Sequence, residues 1–321
     1  ERRKDRGHLT MTVEMPTDFL PESLADYIEV KMLFDDLPWL SQADLRNDFM
    51  SGQQPSAQEL DFALGEIERR STTCGRAYAY RKVQEGVERQ VNEMTVIHDC
   101  LMILSLQGTQ LRREAQYSRS DPIFDAIVEE AAVAYLGTGA QSVIFGWPAR
   151  GGRPIPFVEA VSWLGSQMGV PDGVMDRPPA HKDAGVDIVV WKPFGDCRTG
   201  FPVFLIQNTI KADYAYKGHD INTSDWLSWL RFGTPPGRGL AIPYEVRRGD
   251  DRWAIMNGSV DLILDRERII EKLSERGSFS RLSDLARFVN EELEGARSGG
   301  PVRSPATRRQ KPSQWRDRRA R

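Results

Sequence analysis

Two short runs, Val186 to Trp191 (VDIVVW) and Val203 to Ile206 (VFLI), are almost wholly apolar and separated by a loop holding glycine and proline. Runs of this length and type are strands covered on both faces, so the chain must build a sheet with material layered on either side. The two strands are expected to be adjacent and central. Upstream, Ser120-Asp121-Pro122 announces a helix that stops at Gly137, with Phe124, Ile127, Val128, Ala131, Ala132 and Tyr135 forming one apolar stripe. A short strand, Ser142 to Trp147, follows, then a helix carrying Phe157, Val161, Leu164 and Met168 and ending at Gly169. Downstream, Thr223-Ser224-Asp225 caps a helix with Trp226, Leu227 and Leu230, and Leu240 to Ile242 is a further strand. This order predicts an α/β sandwich with a mixed sheet and helices packed against it.

A chain of 321 residues exceeds what one hydrophobic core comfortably fills and suggests about two domains. Residues 1–115 read as a mostly helical N-terminal region, 116–250 as the α/β domain, 251–295 as a small C-terminal cap and 296–321 as a basic tail. In the first region, Ser56-Ala57-Gln58-Glu59 is a capping box ahead of Leu60, Ala63, Leu64 and Ile67. Met94 to Leu106 is a buried helix in which His98 is a core residue; at that length, broken by His98 and Asp99, it falls short of the ~20 residues of a membrane span. The cap holds a strand, Val260 to Leu264, and helices near 266–275 and 282–294. Apolar residues at 40% and charged residues at 28% exclude disorder for the bulk. The tail is different: nine basic residues face only Asp317, while the whole chain carries −3. It lacks the apolar residues to fold and suits a polyanion. Three scattered cysteines and the lack of a signal-peptide pattern lead to the expectation of a reducing cytoplasm. Four dispersed histidines argue against a His/Cys zinc site, so any metal would use oxygen ligands.

Chemistry points to one place. Asp187 is a carboxylate inside an apolar strand, where it costs several kcal/mol unless neutralised, and a divalent cation is one neutraliser. Gln207 ends the next strand with a second oxygen donor. Lys211 and Lys217 follow, as phosphodiester cleavage requires beside a metal. The same residues are also compatible with a strand-edge cap, an ordinary strand-end glutamine and solvated lysines.

The run Lys182-Asp183-Ala184-Gly185-Val186-Asp187-Ile188-Val189-Val190-Trp191, with Gln207 and then Lys217, resembles a branch of the PD-(D/E)xK, restriction-endonuclease-like superfamily common in prokaryotic defence genes. Phe124-Asp125, Gly137, Phe145-Gly146, Trp226 and Phe232-Gly233-Thr234-Pro235-Pro236 occur in the order of that branch, so the resemblance covers about residues 120 to 245. It implies a restriction-endonuclease-like core in which Asp187, Gln207 and Asp125 hold Mg2+ (or Mn2+), Lys217 is the displaced catalytic lysine, and Lys182 and Lys211 contact nucleic acid. Thr209 stands where the family's usual lysine falls, Gln207 replaces an acid, and Asp125 replaces a longer glutamate. The implied function is a metal-dependent DNA endonuclease acting as a defence effector, with a protein partner of the same system docking on the helical N-terminal region. The alternatives are an inert module of the same fold that binds nucleic acid or a partner protein, and a helical adaptor whose α/β half is structural.

Overall fold

The computed structural model describes residues 13–14, 16, 18–49, 54–84, 86–106, 114–178, 182–297 and 302–303. The basic tail beyond Val302–Arg303 therefore lies outside the described residues. In chain order the elements are β1 (Val13–Glu14), α1 (Pro21–Phe34), β2 (Trp39–Ser41), α2 (Gln42–Asp48), α3 (Ala57–Cys74), β3 (Tyr80–Val83), β4 (Gly86–Arg89), α4 (Thr95–Ser105), α5 (Glu114–Leu136), β5 (Gln141–Ile144), α6 (Phe157–Met168), β6 (Ile188–Trp191), β7 (Val203–Asn208), α7 (Thr223–Trp229), β8 (Gly237–Ala241), α8 (Asp251–Asn257), β9 (Leu262–Leu264), α9 (Arg266–Arg276), α10 (Leu282–Arg297) and β10 (Val302–Arg303).

The main sheet has the order β5-β6-β7-β8-β9. The β5–β6 and β6–β7 pairs are antiparallel, while β7–β8 and β8–β9 are parallel. Successive strand residues point to opposite faces, and both faces of this sheet are covered. Ile188, Val190 and Ile206 pack with Phe124, Ile127, Val128, Ala131 and Ala132 of α5. Val189, Trp191, Val203 and Leu205 face the other way, onto Phe157 and Leu164 of α6 and Trp226 and Trp229 of α7. Two-sided burial is why VDIVVW and VFLI are continuous apolar runs instead of alternating ones. Trp226, fully buried, meets Phe145 and Trp229 edge-on at centroid distances of 5.5 and 5.4 Å.

Four expectations need correction. The segment read as helical between residues 20 and 115 also holds a three-stranded antiparallel sheet, β2-β4-β3. Its strands are too short and too charged (YRKV, GVER) to show a strand pattern, and pairing decides them. The helix expected to begin at Ser120 runs from Glu114 and encloses Pro122. Strand β6 begins at Ile188, so Asp187 stands at the strand's threshold and not in its middle. The 251–295 segment is more than a cover, because β9 is the fifth strand of the main sheet and α9 packs on α3 and α5.

A buried ionic hub ties α1, α3 and α9 together. Arg70 of α3 reaches Asp26 and Glu29 of α1 at 3.0 and 2.7 Å and Glu245 at 3.0 Å. Arg266 at the start of α9 reaches Asp26 at 2.6 Å and Glu245 at 3.4 Å. The Tyr78 hydroxyl donates to Glu29, and His98 lies 3.4 Å from the same carboxylate. Among the described residues, no helix is long and apolar enough to cross a membrane.

Candidate functional site

At the end of the main sheet where Asp187 precedes β6 and Gln207 and Asn208 end β7, a cleft of about 230 Å³ opens. Asp125, Asp187, Gln207, Lys211 and Lys217 all line it, together with Trp147, Arg150, Asp183 and Asn208. Residues drawn from α5, two strand ends and the segment after β7 thus converge from positions up to 92 residues apart in the chain. Lys182 is not brought in: its side chain is exposed, and its backbone carbonyl accepts from Arg153.

The local backbone explains the placement of Asp187. Its N–H donates to the Ile206 carbonyl at 2.9 Å, and its own carbonyl accepts from Phe145 and Gly146 at 2.7 and 2.9 Å. The residue is clamped between two neighbouring strands. Ile188 pairs with Ile206, and the Asp187 N–H bonds to the carbonyl of that same residue, so Asp187 and Ile188 both face Ile206 in the manner of a bulge, next to Gln207 on β7. Two glycines make room. A Cβ on Gly146 would lie 2.8 Å from Asp187 Oδ1, and one on Gly185, which sits at φ +78°, would lie 2.7 Å from the Asp220 carbonyl.

The side chains form two connected arms. On the α5 side, Asp125 accepts from Asn208 Nδ2 at 3.0 Å and from the Arg150 guanidinium, while the Asn208 backbone N–H donates to Asp187 Oδ2 at 2.7 Å. Asn208 therefore holds both carboxylates at once. Burial pushes the Asp125 carboxyl above its usual range, against the pull of Asn208 and Arg150. On the other side, Asp220 Oδ2 accepts from Gln207 Nε2 at 3.1 Å and from Lys217 Nζ at 2.9 Å. That orientation of Gln207 leaves Oε1 buried without a hydrogen-bond partner, and Asn208 Oδ1 is in the same condition. Asp183 accepts from the backbone N–H groups of Trp147 and Gly185 at 3.2 and 3.1 Å, which makes it a loop-fixing residue. Tyr214, by contrast, is buried and stacks on Tyr244 at 5.1 Å, a packing role.

An unpartnered amide oxygen on Gln207, in the same cleft as the Asp187 carboxylate, is the oxygen donor set that a hard divalent cation selects. Asp125 suits that role less well, because Arg150 already neutralises it. Among the described residues, no group of three or more His, Cys, Asp or Glu side chains is arranged to hold a metal ion. A cation here would rest on Asp187, on neutral oxygens and on water.

Sequence reasoning missed Asn208, Arg150 and Asp220. Asn208 carries a signal in principle, since it adjoins Gln207 at the same strand end; Arg150 and Asp220 sit in a loop and a short 3-10 segment that nothing local singles out.

No protein-family model matches the chain, and no curated protein matches it. Among solved structures it is similar to the MspJI restriction endonuclease in complex with a 27-mer oligonucleotide, with TM-score 0.32 and 11% identity over 68% of this chain and 43% of that one. The chain spans less than half the length of that protein, and a likeness of this size assigns neither fold nor activity.

Proposed function

We propose that the cleft hydrolyses phosphodiester bonds of DNA with the help of Mg2+ (or Mn2+), on a core of the restriction-endonuclease-like kind. The observation that carries this reading is the meeting of Asp187, Gln207 with its unpartnered buried oxygen, and Lys211 and Lys217 in one cleft. When bound, the cation supplies Lewis-acid polarisation of the phosphoryl group. Asp187 and Gln207 hold it, and Asn208 fixes the Asp187 carboxylate. Lys217, positioned by Asp220, orients the attacking water and offsets charge developing on the phosphate. Lys211, exposed at the cleft edge, grips a neighbouring phosphate. The role in prokaryotic defence rests on the sequence resemblance alone.

A second reading is favoured by one observation: Arg150 pairs with Asp125 and so occupies a carboxylate that a cation would otherwise use. On that reading the cleft binds nucleic acid without cutting it. Incubating plasmid, linear and single-stranded DNA and RNA with the protein and Mg2+ or Mn2+ separates the two. The nuclease reading expects DNA cleavage that EDTA abolishes. Absence of cutting with every substrate and metal selects the binding module.

A further inference from the structure

Trp147 is 40% exposed although it lines the cleft. An indole left open to water beside a charged site is an expensive place for a large apolar surface, at roughly 25 cal/mol per Å² left uncovered. The chain nevertheless holds it firmly. Its backbone N–H is bonded to Asp183, the two preceding N–H groups are bonded to the Asp187 carbonyl, and Pro148 restricts the backbone that follows. Its neighbour Phe145 turns inward, fully buried against Trp226, with Arg153 over its ring at 4.4 Å. The same loop thus buries one aromatic ring and presents the other to the cleft.

The surroundings of Trp147 match one ligand chemistry. Lys211 supplies a cation for a phosphate, Arg150 and Lys217 line the same cleft while paired with Asp125 and Asp220, and Phe124 and Ile210 add apolar wall. Aromatic rings next to backbone-tracking cations are how single-stranded nucleic acid is held, because each unpaired base offers a π-face to stack on. A paired base in a duplex has both faces covered by its neighbours and exposes only its edges.

We propose that the cleft accepts an unpaired nucleotide whose base stacks on Trp147, so that the substrate class is single-stranded or locally unpaired nucleic acid. The proposal rests on reading the cleft as a nucleic-acid site, but it does not require that the site cut.

The test measures binding by the full chain in EDTA, which isolates binding from cleavage. The probes are a fluorescein-labelled oligothymidine strand of about 12 nucleotides and the loop-free blunt duplex that the same strand forms with oligodeoxyadenosine. Trp147→Ala is expected to weaken binding of the single strand about 10- to 100-fold, the usual worth of one stacked base, and to leave duplex binding within about twofold. Trp147→Phe, which keeps a ring, retains most of the single-strand affinity and shows that the site still folds. Phe194→Ala, at the opposite end of β6 and 65% exposed, leaves both probes unchanged. Equal loss on both probes, or no loss on either, overturns the stacking proposal, even if the protein proves to be a nuclease. Trp147-dependent single-strand binding without cleavage in Mg2+ or Mn2+ sustains it and overturns only the hydrolytic reading.

Discussion

The hub beneath α1 and the cleft at the sheet's end both gather carboxylates next to arginine, yet they are wired in opposite senses. In the hub, Arg70 and Arg266 are almost fully buried and each binds two or more carboxylates from other elements. Every charge there is enclosed by helices from both ends of the chain. In the cleft, one guanidinium serves one carboxylate, two amide oxygens stay unpartnered, and the lysines reach solvent. A closed ionic cluster organises a fold, because removing one member strands another in low dielectric. An open one with spare acceptors is arranged for something that arrives later.

The comparison breaks most visibly at Arg70. Arg70→Met leaves Glu29 and Glu245 without their shared guanidinium and is expected to destabilise the protein by about 3–5 kcal/mol, read as a lower midpoint in chemical denaturation. Molecules that remain folded should keep normal cleavage per mole of native protein. If Arg70→Met melts like the wild type, the hub is not structural.

Changes in the cleft should do the reverse. Asp187→Asn and Lys217→Ala are each expected to reduce cleavage by about 10²–10³, with thermal midpoints near that of the wild type. Activity surviving both substitutions would place the chemistry elsewhere.

Lys211→Ala tests a finer division within the cleft. A lysine that only grips phosphate should weaken substrate binding, lower the salt slope by about one and leave kcat intact. If Lys211→Ala is the inactive variant, the roles of the two lysines are exchanged.

The smallest effect is the pH dependence of stability. Burial raises the Glu245 carboxyl to about 8 in spite of Arg70 and Arg266, and it raises Asp265 to about 6. Glu29 moves the other way: burial opposes its ionisation, but Arg70 and His98 prevail and lower it. An acid whose folded pKa lies above its unfolded value stabilises fully below the unfolded value and loses that contribution as pH rises through the folded one. For Glu245 the window runs from 4.5 to about 8. His98 is also raised, despite burial, by the nearby carboxylates of Asp99 and Glu29, and so acts with the same sign. The thermal midpoint is therefore expected to fall as pH rises across this window in wild type. In Glu245→Gln, which is neutral at every pH, that fall should shrink; a slope unchanged by the substitution would assign the dependence to other groups.

Much of the framework was legible because it is local. The Ser56–Glu59 box forms as read, with the Ser56 N–H donating to Glu59 at 2.6 Å and the Glu59 N–H donating back at 3.2 Å. The apolar runs at 186–191 and 203–206 became the antiparallel pair β6–β7. Periodicity and capping depend on neighbours within a turn or a strand, so one chain reveals them.

Other features were decided only by tertiary structure. YRKV and GVER became strands because each found a partner, and β9 joined the main sheet beside β8 rather than a separate cap. Asn208 reaches Asp125 across 83 positions, and Glu245 draws in both Arg70 and Arg266 from distant parts of the chain. Nothing in the residue types nearby selects those partners. Which acid an arginine neutralises, and which amide oxygen is left over, follows from how the layers stack, because the free energy of a buried polar atom is set by whatever lies within about 3 Å of it, regardless of distance along the chain.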